Sequence, residues 1–147
     1  MKIGVLNGPN LNLLGTREPK LYGRETLADI ERSMRDVARS LGVSLEFAQH
    51  NSEGELIDAV HAWKGRIAGA VVNAGAYSHS SLALRDALTG TSTPFVEIHL
   101  TNIYAREPER RRSMLASAAV GLVCGFGALG YEFALRAIVA HVSKKDA

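Results

Sequence analysis

The chain has 147 residues, enough for one domain with a proper core, and its 46% hydrophobic and 22% charged content is that of a soluble globular protein. A net charge of +2 is too small to point to nucleic acid. The single cysteine, Cys124, excludes an internal disulfide and fits a reducing cytoplasm, and no Cys/His cluster offers a zinc site.

The stretch KIGVLN predicts a first strand near residues 2–7. Met1 is followed by a charged residue and this short strand, not by a leader's apolar segment, and no later run reaches transmembrane length. Next comes NGPNLNLLGTREPKLYG, residues 7–23, with three glycines, two prolines and three asparagines. Those residues punctuate turns, so neither helix nor strand is expected there. A structureless loop of that length is often a lid or binding loop. A helix is predicted over about 26–41, with Thr26 as its cap, Asp29 as the capping-box partner and Gly42 as its end. Leu27, Ile30, Met34, Val37 and Leu41 form its apolar stripe. VSLEFAQ reads as a half-buried strand at 43–49. Ser52 and Glu55 give a second capping-box signal before a helix marked by Leu56, Ile57, Val60 and Trp63. IAGAVVN is a buried third strand ending at Asn73. The loop AGAYSHSS leads to a helix at about 81–88, and PFVEIHL is a fourth strand at 95–100. The Arg-rich segment 106–113 suggests a short helix, AVGLVCG a fifth strand, and 129–142 a closing helix, with KKD as a frayed tail.

Alternation of this kind implies a single α/β domain, 1–147, with a parallel sheet between two helical layers. Five strands suggest the flavodoxin-like order 2-1-3-4-5, in which ligands bind beyond the carboxyl ends of the strands. Those ends are Asn7-Gly8, Asn73-Ala74-Gly75, His99-Leu100-Thr101 and Gly125-Phe126-Gly127. The long polar loop springs from the first of them.

Four groups of residues could carry chemistry. Glu97 and His99 are two apart on a strand and share a face, so the carboxylate can orient the imidazole of a general acid or base. A strand-end histidine satisfied by a neighbour fits the same pattern. Tyr22 and Arg17 share the opening loop. A tyrosine, with a pKa of roughly 10, acts as a base only where its phenolate is stabilised, as a nearby cation does. An exposed tyrosine beside a surface arginine has the same composition. The segment 73–79 lets a ligand approach the backbone, and the following helix offers free N–H groups, with Asp86 either returning toward the site or simply exposed. Arg106, Arg110, Arg111 and Arg112 suit carboxylate or phosphate, or form a solvated face. They lack the aromatic interleaving of a nucleic-acid site. GFGALG, residues 125–130, matches GxGxxG, but only one helix follows it, without the acidic strand of a dinucleotide site. Its glycines read as a tight turn with close helix–sheet packing. No lysine lies in the desolvated setting that imine chemistry needs. The competing class is a non-catalytic flavodoxin-like module. Against a receiver, the first strand ends in Asn-Gly-Pro without an acidic pair; against a flavin module, the loop lacks a Ser/Thr-rich phosphate cradle.

Together GPNLNLLGTREPKLYG, NAGAYSHSSLALRDAL, VEIHLTNIYARE and GLVCGFGALGYEFAL closely resemble the type II 3-dehydroquinate dehydratases over nearly the whole chain. The resemblance implies a flavodoxin-like subunit, no cofactor, no metal, and a homododecamer built as a tetramer of trimers; the composition adds the expectation of a cytoplasmic protein with no membrane or nucleic-acid partner. It implies the reversible dehydration of 3-dehydroquinate to 3-dehydroshikimate by anti elimination through an enolate. By that resemblance Tyr22 is the base, acting as its phenolate, and Arg17 holds its pKa down. Asn10 helps stabilise the enolate through a bound water. His99 is the general acid and Glu97 orients it. Asn73, His79, Asp86, Leu100, Thr101 and Arg110 match substrate-binding positions, and Arg106 a supporting one. The reaction serves the shikimate pathway to aromatic amino acids or quinate breakdown. Thr101 stands where serine is usual, and keeps the hydroxyl. Glu109 stands at a position usually aromatic, which bears on the packing beside Arg110, and Ala76 falls where the family varies.

Overall fold

The computed structural model describes residues 1–16 and 18–145. The expectations for Arg17 and for Asp146 in the tail therefore lie outside the described residues. Five strands, β1 (Lys2–Asn7), β2 (Ser44–Gln49), β3 (Gly69–Asn73), β4 (Phe95–His99) and β5 (Gly121–Cys124), form one parallel sheet in the order β2-β1-β3-β4-β5. Both faces are covered, as a parallel sheet requires. On one side lie α2 (Leu27–Leu41) and α5 (Leu129–Lys145), packed on Ile3, Val5, Val71, Val96 and Ile98. On the other lie α3 (Glu53–Trp63) and α4 (Leu82–Gly90), packed on Leu6, Ala70, Val72 and Phe95. The alternation along β4 sends Val96 and Ile98 one way and Phe95, Glu97 and His99 the other.

Local signals explain most boundaries. Thr26 caps α2 in a full capping box, with its hydroxyl accepting from the Asp29 N–H and the Asp29 carboxylate accepting from the Thr26 N–H. The second box is only half formed. Ser52 accepts from the Glu55 N–H, but the Glu55 carboxylate lies 3.6 Å from His50 Nδ1. The glycines of GFGALG behave as read: Gly125 and Gly127 have φ of 95° and 60°, and a Cβ on Gly130 would stand 2.9 Å from Ile98 Cδ1.

Three expectations need correction. The opening loop is not free of regular structure. Leu11–Leu13 form a 3₁₀ turn, and α1 (Pro19–Tyr22) is one turn of helix. Proline's fixed φ suits the first helical position, so Pro19 starts a helix rather than merely breaking one. Leu11 and Leu14 are buried in the core and anchor the loop's first half. The Arg-rich segment contains only a 3₁₀ turn, Pro108–Arg110, not a helix over 106–113. The closing helix runs on to Lys145, so Lys144 and Lys145 belong to it.

The strand ends are drawn together by buried polar contacts. Asn7 and Asn73 lie in register at the ends of β1 and β3, and the Gly8 N–H donates to the Asn73 carbonyl at 2.8 Å. A Cβ on Gly8 would lie 2.2 Å from the Ala74 carbonyl oxygen, so only glycine permits that approach. Tyr131 of α5, 1% exposed, donates its hydroxyl to Asn7 Oδ1 at 2.6 Å and accepts from Asn73 Nδ2 at 2.9 Å. Burial pushes the Tyr131 pKa well up, partly offset by the bond from Asn73, so the phenol stays neutral. Tyr131→Phe keeps the ring but strands two buried amide groups. It should lower stability by about 1–3 kcal/mol, seen as a lower urea midpoint with an unchanged slope. An unchanged midpoint would show that the clasp contributes nothing.

Candidate active site

One cleft opens at the carboxyl ends of β1, β3 and β4, walled by residues of the opening loop, the 73–79 segment and the Arg-rich segment. It brings together Asn10, Tyr22, Asn73, His79, His99, Leu100, Thr101, Arg106 and Arg110. Strand parity delivers the first pair. Glu97 is 0% and His99 6% exposed, and His99 Nε2 lies 3.0 Å from Glu97 Oε1. An ionised carboxylate only accepts, so it selects the imidazole tautomer with its proton on Nε2 and leaves Nδ1 for the cleft. His79 stacks on His99, with ring centroids 5.9 Å apart at 21°. His79 Nδ1 lies 2.8 Å from the Arg112 carbonyl oxygen, which can only accept, so Nδ1 carries that proton and Nε2 is left over.

Across the cleft, Tyr22 is held from the far side of the sequence. Arg106 Nη1 donates to the Tyr22 phenolic oxygen at 3.3 Å and to Thr101 Oγ1 at 3.2 Å, and Arg106 Cζ stands 5.6 Å from the centre of the Tyr22 ring. Burial works against the Arg106 charge. The hydrogen bond and charge interaction with Tyr22, then the carboxylates of Glu107 and Glu18, outweigh it, so the guanidinium sits above its ordinary pKa. Thr101 accepts from Arg106 and so keeps its own hydrogen for another acceptor. Arg110 is half-buried, with its Nε 2.5 Å from Glu107 Oε1.

Asn10 adopts a left-handed backbone, φ 67°, and its N–H donates to Asn51 Oδ1 at 3.1 Å. Asn73 keeps spare capacity in the cleft. One amide hydrogen goes to Tyr131 and one lone pair of Oδ1 takes the Gly75 N–H at 3.2 Å, which leaves one of each. Asp86 is not brought here. It is exposed on α4 and borders a separate hollow with His61, Lys64 and Thr91, because α4 leads away from the strand ends.

Tyr131 and Ser113 stand outside the four groups that the sequence marks. Tyr131 stands in the apolar stripe of α5 with Leu135, Ile138 and Val142, where a polar tip needs a partner, and that was the available signal. Ser113, whose Oγ lies 2.5 Å from Glu97 Oε1, left no such mark. Among the described residues no three His, Cys, Asp or Glu side chains gather as metal ligands do, and no helix is long and apolar enough to cross a membrane.

The Dehydroquinase class II family matches residues 1–139. A 3-dehydroquinate dehydratase of Gemmatimonas aurantiaca is 65% identical over 145 residues, covering 99% of this chain and 95% of its own. The type II dehydroquinase of Butyrivibrio crossotus superposes with a TM-score of 0.91 at 37% identity, over 94% of this chain and 97% of that one. That of Propionibacterium acnes gives 0.89 at 38%, over 95% and 96%. The chain belongs to the class II dehydroquinase family.

Arg106 restrains α1 through Tyr22, beside the packing of the Tyr22 ring on the core. Arg106→Ala is expected to speed backbone hydrogen exchange at Tyr22 and Gly23 while leaving β1 unchanged. Unaltered exchange at both would show that the arginine does not hold α1 down.

Proposed function

We propose that the chain is a 3-dehydroquinate dehydratase of type II, a hydro-lyase that reversibly converts 3-dehydroquinate to 3-dehydroshikimate. The reaction belongs to the shikimate pathway to aromatic amino acids, or to quinate breakdown. Membership of the class II dehydroquinase family over residues 1–139 carries this reading. The cleft supports it, because it sets a phenol opposite a carboxylate-held imidazole.

The chemistry asks for three things: a base for the proton alpha to the ketone, donors for the resulting enolate, and an acid for the hydroxyl that leaves beta to it. Tyr22 is the base in this scheme. Arg106 Nη1 is placed to donate to the oxygen once the phenol has lost its proton, and Arg17, outside the described residues, is assigned the same task. Asn10 serves the enolate through a water. His99, as the imidazolium, gives its Nδ1 proton to the departing hydroxyl while its Nε2–H stays engaged with Glu97. Thr101 uses its remaining hydrogen, with the backbone at Leu100 and the Arg110 guanidinium, to bind the substrate's carboxylate and hydroxyls alongside Asn73 and His79. Asp86 can enter only across an interface between copies, since it lies off its own chain's cleft.

The same proposal includes one catalytic domain over 1–147, a cytoplasmic setting, and a homododecamer arranged as a tetramer of trimers. Continuous family coverage supports the first.

Purified protein with 3-dehydroquinate should develop the ultraviolet absorbance of a conjugated enone without added metal or cofactor. A folded protein that gives no such signal would sink the enzyme reading. Tyr22→Phe should lose at least about 100-fold in kcat with an intact fold. Normal turnover in that variant would remove Tyr22 from its role.

A further inference from the structure

We propose that Ser113 is a positioning residue for the acid of this reaction: it fixes the Glu97 carboxylate that orients His99, and so affects catalysis without touching substrate. The inference rests on the reading that His99 protonates the leaving hydroxyl.

Ser113 lies between β4 and β5, at the end of the Arg-rich segment. Its Oγ accepts from the backbone N–H groups of Leu115 and Ala116, each at 3.1 Å. Those two bonds occupy the oxygen's two lone pairs. The one hydrogen that remains is directed to Glu97 Oε1, at 2.5 Å. The hydroxyl therefore has a single polarity at this position: it donates to Glu97.

Glu97 Oε1 also faces His99 Nε2, whereas Oε2 is buried without a hydrogen-bond partner. Both restraints on the carboxylate thus meet at one oxygen. Remove Ser113, and the imidazole is oriented by a group that only the imidazole holds. Bonds of this kind count for more in a dry interior than at a wet surface.

The hydroxyl itself is well anchored. Leu115 is fully buried, and the Met114 N–H donates to the carbonyl of buried Ser78 at 2.7 Å. Ser113 is not part of the cleft wall, so it reaches substrate only through Glu97 and His99.

Ser113→Ala should lower kcat for 3-dehydroquinate about 10- to 100-fold, the order expected for a misplaced reacting group, with KM nearly unchanged. Ser113→Thr keeps the hydroxyl and should recover most of kcat. In a Glu97→Ala background, Ser113→Ala should have little further effect, because the group it acts through is gone. Losses that multiply in the double variant, a raised KM with unchanged kcat, or a Thr variant as poor as Ala would each overturn the proposal. If Ser113→Ala does not fold, Ser113→Cys keeps the size with a weaker donor, and the same cycle applies. A second readout needs no turnover. The His99 Nε2 proton should give a downfield NMR signal that is weakened by Ser113→Ala and untouched by Tyr22→Phe. A signal indifferent to Ser113 would refute the positioning role, and the signal decides that point even if the wild-type protein failed to dehydrate 3-dehydroquinate.

Discussion

A histidine can serve as a directed acid only when one of its ring nitrogens is committed elsewhere. Here that commitment is made by a carboxylate with no exposure to solvent, Glu97, on an interior strand of the sheet. Placing a carboxylate there is costly unless hydrogen bonds compensate, and truncating either partner of such a buried pair leaves the other stranded. The surroundings are arranged to meet that demand. Parity along β4 puts Glu97 and His99 on one face, and the pairing of Glu97 with Val72 and Leu122 closes the strand off on both sides. His99 then emerges where β4 ends and the cleft begins.

The two halves of the proposed chemistry sit on unlike supports. The acid stands on a buried strand whose neighbours are clasped by Tyr131, Asn7 and Asn73. The base stands on a four-residue helix with no buried residue, held toward the cleft by Arg106. Such an arm can admit substrate and then close over it, with geometry completed at closure. The loop that carries it is not uniform. Its first half is pinned by the buried Leu11 and Leu14, whereas no residue of α1 is buried.

The helices and strands were legible because their signals are local. Thr26 and Asp29 cap α2 as their spacing foretold, alternation along PFVEIHL placed Glu97 beside His99, and β-α alternation implied the sheet order. α1 was missed because one turn is too short to show a period, and in composition Pro19 reads as a breaker. The side-chain contacts that shape the site were illegible for another reason. Arg106 meets Tyr22 across 84 residues, and Tyr131 meets Asn7 across 124. No periodicity records such pairings, which depend on where loops leave the sheet. Asp86 shows the reverse: its motif matches a substrate position, yet the fold of one chain turns it away.

In the proposed mechanism proton removal and hydroxyl loss are separate steps served by separate residues, Tyr22 and His99. The most direct test is His99→Ala incubated with 3-dehydroquinate in deuterium oxide. The substrate should gain deuterium at the carbon alpha to the ketone while almost no conjugated enone forms. Enone production at the wild-type rate, or substrate that takes up no deuterium, would contradict this mechanism.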